Sequence, residues 1–520
     1  MHVLDHPRKI SITTLLQNAP FHPFFLAAYP VVSLLGFNID QVDTSEIVLS
    51  LFISLSATAL VLIGLQLRFK NWQLAGLVTS LLVVWFFHYG RLYALLKEVR
   101  ILGFLIGRHR YLLLVWMIAF TAAIFGLIKR KRVNPKWTPF LNFFSTILLC
   151  LPIFQIGVFY LRDYSPPEAL TDSDVEPLIS WMDDTSPPDI YYIVLDGYQR
   201  ADVQENVFDI DITPFLDELR DLGFYVAECA QSNYTRTILS VTSTFNMDYI
   251  DSFRAEIDPD EKSAWLLPYY QHSVVRQQLE SLGYQTIVFK TPWGKLVWKD
   301  ASIVYKSSGT ALLSPFEFML LRTTLARVYL DFQQAESLKL SDYENYEDTR
   351  YALEQLPQVP DIPGPKFVFA HLVIPHSPFV FGPNGEYVSI PYDADAGNIY
   401  TEEDGKRGHN YAVTYINKMM LEILPEIIHN SKTPPIIIVS ADHGSPNGGV
   451  ENSVRILAAY YAPEAKSQFY ATITPVNVFR IMFNTYFNTA FDLLPDRSYF
   501  SAQGQYFNFI EIPNTCGSAD

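Results

Sequence analysis

Five long apolar stretches precede residue 162: Phe21–Phe37, Ile47–Leu67, Trp72–Tyr89, Tyr111–Ile128 and Thr138–Tyr160. Each is close to the roughly 20 residues that carry a helix across a bilayer, the first being the shortest. Five clustered segments of this kind are poorly explained as buried helices of a soluble protein. None is followed by the small-residue cleavage site of a signal peptide, so they read as retained membrane anchors. Positive charge orients them. Arg8 and Lys9 precede the first stretch, Arg68 and Lys70 follow the second, and Lys129, Arg130, Lys131, Arg132 and Lys136 follow the fourth. All fall on one side if the N-terminus is cytoplasmic, and residues 162–520 then lie outside the cytoplasm. One loop departs from this pattern. Gly90–Gly107 carries Arg91, Lys97 and Arg100 among leucines and isoleucines, and reads as an amphipathic segment able to lie flat in the interface.

Charge divides the chain at the same place. Up to Trp137 there are 14 Lys and Arg against 5 Asp and Glu, so of the net −16 the remainder carries −25. An acidic remainder of this size reads as a soluble domain with a full core and argues against nucleic acid as a partner. The expected organisation is a transmembrane domain over 1–161, a Pro-rich acidic linker over 162–188 and a catalytic domain over 189–520. Of the three cysteines, Cys150 lies in an apolar span, and a Cys229–Cys516 bridge is compatible with an oxidising compartment. Strand-like runs (Ile190–Leu195, Thr286–Lys290, Phe367–Ile374, Val454–Tyr461) alternate with helical ones (Thr213–Leu222, Ser273–Leu282, Phe316–Phe332, Tyr343–Leu356, Tyr411–Ile428, Val476–Tyr486). That alternation predicts an α/β sandwich around a mostly parallel sheet.

Four segments carry the chemistry. Ile436–Gly444, IIIVSADHG, is a β-branched run ending in Asp442, His443 and Gly444. It delivers an acid and an imidazole to the carboxyl edge of a sheet, where open α/β sheets bind ligands. Asp189–Gly197, DIYYIVLDG, does the same with Asp196. An Asp-Gly pair also suits an Asx turn, but two such strand ends together favour a metal site. Asp and His suit Zn²⁺ or Mn²⁺. Ser232–Asn246, SNYTRTILSVTSTFN, begins as a loop and continues as a helix, with Thr237, Ser240 and Ser243 at every third position. A hydroxyl at a helix start meets positive potential and free N–H groups suited to phosphate, although it can also serve as a cap. Lys366–Phe379, KFVFAHLVIPHSPF, carries His371 in a strand and His376 just beyond it. Imidazoles of ordinary pKa bind phosphate or protonate a leaving oxygen.

In this order the four segments resemble the alkaline phosphatase/sulfatase superfamily over roughly residues 189–512. The resemblance implies an α/β/α sandwich behind a bundle of about five transmembrane helices. It implies Thr237 as nucleophile and Asp196, Thr237, Asp442 and His443 as ligands of one divalent metal, Zn or Mn. His371, His376, Asn233 and Arg455 become substrate-binding candidates, with Tyr234 and Lys290 as further polar groups. Sulfatases mature a Cys or Ser in a C/S-x-P-x-R context to formylglycine, whereas this chain reads Thr237-Ile-Leu-Ser240-Val. The Thr nucleophile is similar to lipoteichoic acid synthases and lipid A phosphoethanolamine transferases. The implied activity is transfer of a phospho-head group from a membrane lipid donor to an envelope glycan or lipid, in a bacterial inner membrane. A tethered phosphodiesterase, phosphatase or sulfuric-ester hydrolase, and an inactive membrane scaffold, are the alternatives.

Overall fold

The computed structural model describes residues 19–516 apart from 40–41, 102–103, 131–133, 164–178, 182–186, 255–256, 258–262, 309–312, 333, 391–399 and 503. Most of the expected linker, together with Arg8, Lys9, Lys131 and Arg132, lies outside the described residues. The chain forms two compact units. One comprises Met1–Leu161 with Leu312–Leu340, and the other Arg162–Ala311 with Ser341–Asp520.

The first unit is helical: α1 (His22–Phe37), α2 (Ile47–Phe69), α3 (Trp72–Leu96), α4 (His109–Arg130) and α5 (Trp137–Val158). Among the described residues, four helices, spanning Thr44–Phe69, Trp72–Leu96, His109–Lys129 and Trp137–Leu161, are long and apolar enough to cross a membrane. The first expected span does not reach that length. Helix α1 has 16 residues, about 24 Å at the helical rise, against about 30 Å of hydrocarbon. It is instead an interior helix, with Ala27, Val31 and Leu35 buried against α2, α3 and α5. Its open N-terminal amides are satisfied from α5, where Asn142 Oδ1 accepts from the N–H groups of Phe21 and His22 at 3.0 and 2.9 Å. Helix α2 is the opposite case and exposes Val48, Phe52, Leu60 and Leu67. Gly90–Gly107 does not form the flat amphipathic segment read from sequence. Gly90–Leu96 completes α3, and Arg100–Ile101 pairs antiparallel with Phe104–Leu105.

A second difference concerns Phe316–Phe332. This stretch was expected to be one helix of the catalytic domain. It forms two helices, Pro315–Thr323 and Arg327–Phe332, and groups with the membrane helices. Its first helix starts at a capping box in which Ser314 and Glu317 satisfy each other's amides.

The second unit is built on a seven-stranded sheet. Its strands are β1 (Ile190–Leu195), β2 (Tyr225–Val226), β3 (Gln285–Phe289), β4 (Ile303–Tyr305), β5 (Lys366–Leu372), β6 (Ile436–Ser440) and β7 (Ala458–Tyr461). The order is β2-β7-β6-β1-β5-β3-β4, parallel except where β7 meets β6 and β2. Every residue of β1, β5 and β6 is buried. Side chains alternate between the two faces of a strand, so both faces are covered, as unbroken apolar runs require.

Helix α6 (Thr237–Asn246) lies against this sheet. Its Phe245 is fully buried and packs on Tyr192 of β1, Phe369 of β5 and Trp298, with ring centroids 5.4, 4.9 and 5.3 Å away. The helix stops at Met247, which takes a left-handed conformation at φ 54°. Cys229 and Cys516 form a disulfide with Cα atoms 5.5 Å apart, tying the C-terminal residues to the approach to α6.

Two outcomes follow from this packing. Phe245→Ala should cost about 3–5 kcal/mol, read as a lowered Tm of the full chain in detergent, with activity falling in the surviving folded fraction. Under denaturing conditions without reductant, only Cys150 should take up maleimide; after reduction all three cysteines should react, as intact mass reports directly.

Candidate active site

The register of three parallel strands assembles the site. Val194 of β1 pairs with His371 of β5 and with Ser440 of β6. Continued by two residues, this register sets Asp442 level with Asp196 at the carboxyl edge. His371, at the level of Val194, shares the face of Asp196 two residues on. Behind Asp196 the chain turns at Gly197, whose φ of +72° belongs to the left-handed region. Behind His443, Gly444 passes so close to Asn452 that a Cβ would lie 2.3 Å from its carbonyl oxygen.

Asp196 and Asp442 are buried, at 0% and 1% exposure. Asp196 Oδ2 accepts from His371 Nε2 at 3.1 Å, and Asp442 Oδ1 accepts from the Gly197 amide at 3.3 Å. The other oxygen of each, Asp196 Oδ1 and Asp442 Oδ2, has no hydrogen-bond partner among the described residues. Both face His443 Nε2, at 3.7 and 3.5 Å. Thr237, first residue of α6, places Oγ1 3.4 Å from the same nitrogen. His443 Nδ1 lies 2.7 Å from the Gly444 carbonyl. If Nδ1 carries the proton and donates it there, the Nε2 lone pair points into the site.

Oxygens of Asp196, Asp442 and Thr237 stand around His443 Nε2 at spacings that suit metal ligands. Bonds of about 2.0–2.1 Å in a tetrahedral site space the ligands about 3.4 Å apart, close to the 3.4, 3.5 and 3.7 Å measured from His443 Nε2. Two buried carboxylate oxygens without a hydrogen-bond partner among the described residues are what a cation would complete. His371 and His376 border the same place. Donor atoms of Asp196, His376 and His443 lie within 4.8 Å of one another, as do those of Asp196, His371 and Asp442. His376 Nδ1 engages the Ser377 carbonyl, so that Nε2 is the free ring nitrogen.

Electrostatics agree with this picture. Burial pushes Asp196 up, but the imidazoles of His376, His371 and His443 outweigh it and hold the carboxyl below its ordinary value. Burial pushes His443 down, and Asp442, Asp196 and the Gly444 carbonyl outweigh that, raising the imidazole. The pocket favours positive charge at its centre.

Other expected residues have different occupations. Asn233 has its whole amide in use: Nδ2 donates to the Arg497 carbonyl at 2.9 Å, and Oδ1 accepts from the Val476 amide at 2.9 Å. It is a structural tie. Arg455 bonds Asn452 and Thr515 and pairs with Asp202. Lys290 pairs with Glu344 and Asp348. The Tyr234 hydroxyl accepts from the Ile250 amide at 2.9 Å.

Two neighbours escaped the sequence reading. Trp293 packs its ring 5.5 Å from His371 and 5.8 Å from His376. Its signal was a Trp in a Pro-Trp-Gly turn just past β3. Arg236, directly before Thr237, stands over the Tyr506 ring at 4.6 Å and bonds the Ala502 carbonyl. Its charge is felt at His443.

The sulfatase family profile matches residues 188–482. No curated protein matches the chain. Among solved structures, the integral membrane lipooligosaccharide phosphoethanolamine transferase A of Neisseria meningitidis is similar at 11% identity and a TM-score of 0.42, over 90% of this chain and 96% of that one. The C-terminal periplasmic domain of EcEptC from Escherichia coli is similar at 11% identity and a TM-score of 0.41, over 65% and 96%. The phosphonate monoester hydrolase of Agrobacterium radiobacter is similar at 12% identity and a TM-score of 0.40, over 60% and 80%. The profile runs from the strand that ends in Asp196 through the Asp442–His443 strand end and covers more than half of the sequence, and by that match the chain belongs to the sulfatase family.

Proposed function

We propose that this chain is a membrane-anchored, metal-dependent transferase that moves a phospho-head group from a lipid donor, through Thr237, to a glycan or lipid acceptor of the cell envelope. The observation that carries this reading is the position of Thr237 Oγ1. It sits at the N-terminus of α6, 3.4 Å from His443 Nε2, and that nitrogen also faces two buried carboxylate oxygens that have no hydrogen-bond partner among the described residues.

Asp196, Thr237, Asp442 and His443 would hold one divalent ion, Zn²⁺ or Mn²⁺. When bound, such an ion lowers the pKa of the Thr237 hydroxyl and draws charge from a phosphoryl oxygen. Thr237 loses its proton to solvent and forms an Oγ–P bond, while the P–O bond to the leaving group breaks in line. His376 Nε2 gives a proton to the departing oxygen. In the second half an acceptor hydroxyl attacks the phosphothreonine and gives its proton to His376, and Thr237 regains one from solvent. His371 holds Asp196 in place through its 3.1 Å contact. The N-terminus of α6 stabilises the phosphoryl charge.

Phosphate is favoured over sulfate by the nucleophile itself. Formylglycine is an aldehyde made by oxidising the Cβ of Cys or Ser. Thr carries a methyl group there, so the same oxidation would give a ketone. We place the catalytic unit outside the cytoplasm of a bacterial inner membrane. The Cys229–Cys516 disulfide and the basic loops read from sequence support that side.

Metal content tests the ligand set. Asp442→Asn and Asp196→Asn should each weaken Zn²⁺ or Mn²⁺ binding by about tenfold or more, read by elemental analysis after dialysis of the full chain. Asn233→Ala should leave metal content unchanged and lower Tm. Equal metal content in all three variants would remove the proposed site.

Covalent mass tests the reaction. The full chain in detergent, given Mn²⁺ or Zn²⁺ and mixed bacterial phospholipids, should gain an adduct whose mass names the transferred group. Thr237→Ala should lose it. Release of head group into water without a glycan or lipid product would make the enzyme a hydrolase. An adduct that survives Thr237→Ala would displace Thr237 as nucleophile.

A further inference from the structure

The membrane unit contains a cavity of about 360 Å³ between α2, α3 and the inserted helix Pro315–Thr323. Its size falls within the roughly 300–1,000 Å³ of small-molecule sites. We infer that this cavity binds an acyl chain of a membrane phospholipid, and that the inserted segment exists to form its third wall.

The lining is apolar in effect. Ser50, Ser54, Thr58 and Thr79 contribute hydroxyls, and the last three are spent inside the protein. Ser54 donates to the Ala27 carbonyl at 2.9 Å, Thr58 to Ser54 at 2.8 Å and Thr79 to Ala75 at 2.8 Å. Glu317 is used in the capping box with Ser314, and Thr324 donates to the Leu321 carbonyl. A buried water needs two to four polar partners, and walls of this composition offer few. Hydrocarbon needs none.

The surroundings supply the occupant. Ile53 and Val61 line the cavity and are also 56% and 39% exposed. They lie on α2, the helix whose outer face is Val48, Phe52, Leu60 and Leu67. The cavity therefore opens onto a surface that reads as lipid-facing, where the solvent is acyl chain rather than water.

The inserted wall is fixed in place. The Leu325 amide donates to the Phe86 carbonyl at 2.7 Å, and Arg327 Nη1 donates to the Gly90 carbonyl at 3.4 Å. Gly90 allows this approach, since a Cβ there would lie 2.0 Å from the Arg322 carbonyl oxygen. His109 adds a bridge from the Tyr89 hydroxyl to Asp331, at 2.8 and 2.9 Å. Lipid binding at this cavity is independent of the transfer chemistry proposed above and stands if that chemistry fails.

The test uses the full chain in nanodiscs containing a phospholipid with a diazirine midway along one acyl chain. After photolysis, peptides are mapped by mass spectrometry. Labels should concentrate on Ile53–Val61 and Leu313–Thr324, several-fold above Leu114–Ile118 of α4, which is exposed but borders no part of this cavity. Ala57→Trp, at the exposed rim, should fill the cavity and lower labelling of the inserted helix several-fold while leaving α4 unchanged. Leu321→Trp should do the same from the opposite wall, so that misfolding of one variant does not decide the result. Equal labelling of α2, α4 and the insert, or labelling that neither Trp reduces, would overturn the assignment.

Discussion

The register of β1 with its two parallel neighbours is the constraint on which the site depends. Because Val194 pairs with both His371 and Ser440, the acid after β1 and the acid two residues after β6 arrive at one level. A slip of one residue would turn each side chain to the other face. The slip is prevented by burial on both sides of β1, β5 and β6, which leaves no polar face for an alternative register to expose. The same packing sets the nucleophile. Phe245 anchors α6 against Tyr192 and Phe369, two turns beyond Thr237, so the sheet that presents the acids also holds the helix start.

This order comes with an electrostatic cost. Two carboxylates sit almost wholly out of water, each with one oxygen that has no hydrogen-bond partner among the described residues. Burying charge without compensation is among the most unfavourable arrangements available to a fold. At Asp196 the imidazoles of His376, His371 and His443 outweigh that cost and hold the carboxyl below its ordinary value. The fold thus gathers two carboxylates at one point, shared by a hydroxyl and an imidazole nitrogen. Places where polar groups are left unsatisfied are where function is concentrated, and here the unsatisfied atoms are those whose spacing suits a cation.

Sequence made the strand ends legible because strong periodicity and an abrupt change of residue type coincide there. Asp196, Asp442 and His443 end apolar runs, and His371 interrupts one. Thr237 was legible as a helix start. For Asn233 and Arg455 the sequence left their intramolecular partners hidden, because polarity near a motif does not say where a side chain's hydrogen bonds go. Asn233 spends its amide on Val476 and Arg497, more than 240 residues away along the chain. Trp293 was missed for the opposite reason, since its place comes from tertiary contact with a histidine of a distant strand and another just past that strand's end. Helix α1 was read as a span because hydropathy reports apolarity without saying whether its surroundings are lipid or protein.

That ambiguity explains the misreading of the inserted segment as well. Phe316, Phe318 and Leu320 are all buried, an apolar content that would suit packing on a sheet as well as among membrane helices, and only the packing decides between them. The decision changes what a domain boundary means. Composition divides the chain once, near residue 162, whereas the fold divides it also at Ala311 and Ser341. A fragment cut at 162 would carry Leu312–Leu340 without the helices it packs on, leaving those phenylalanines and the Gly90 contact unmatched. Exposed apolar surface of that kind promotes association rather than independent folding. The membrane unit, in turn, would lose one wall of its cavity and the Asp331 bridge to His109. The helical unit is thus completed by a segment from the second half of the chain, and a cut at residue 162 parts that segment from the helices it packs on.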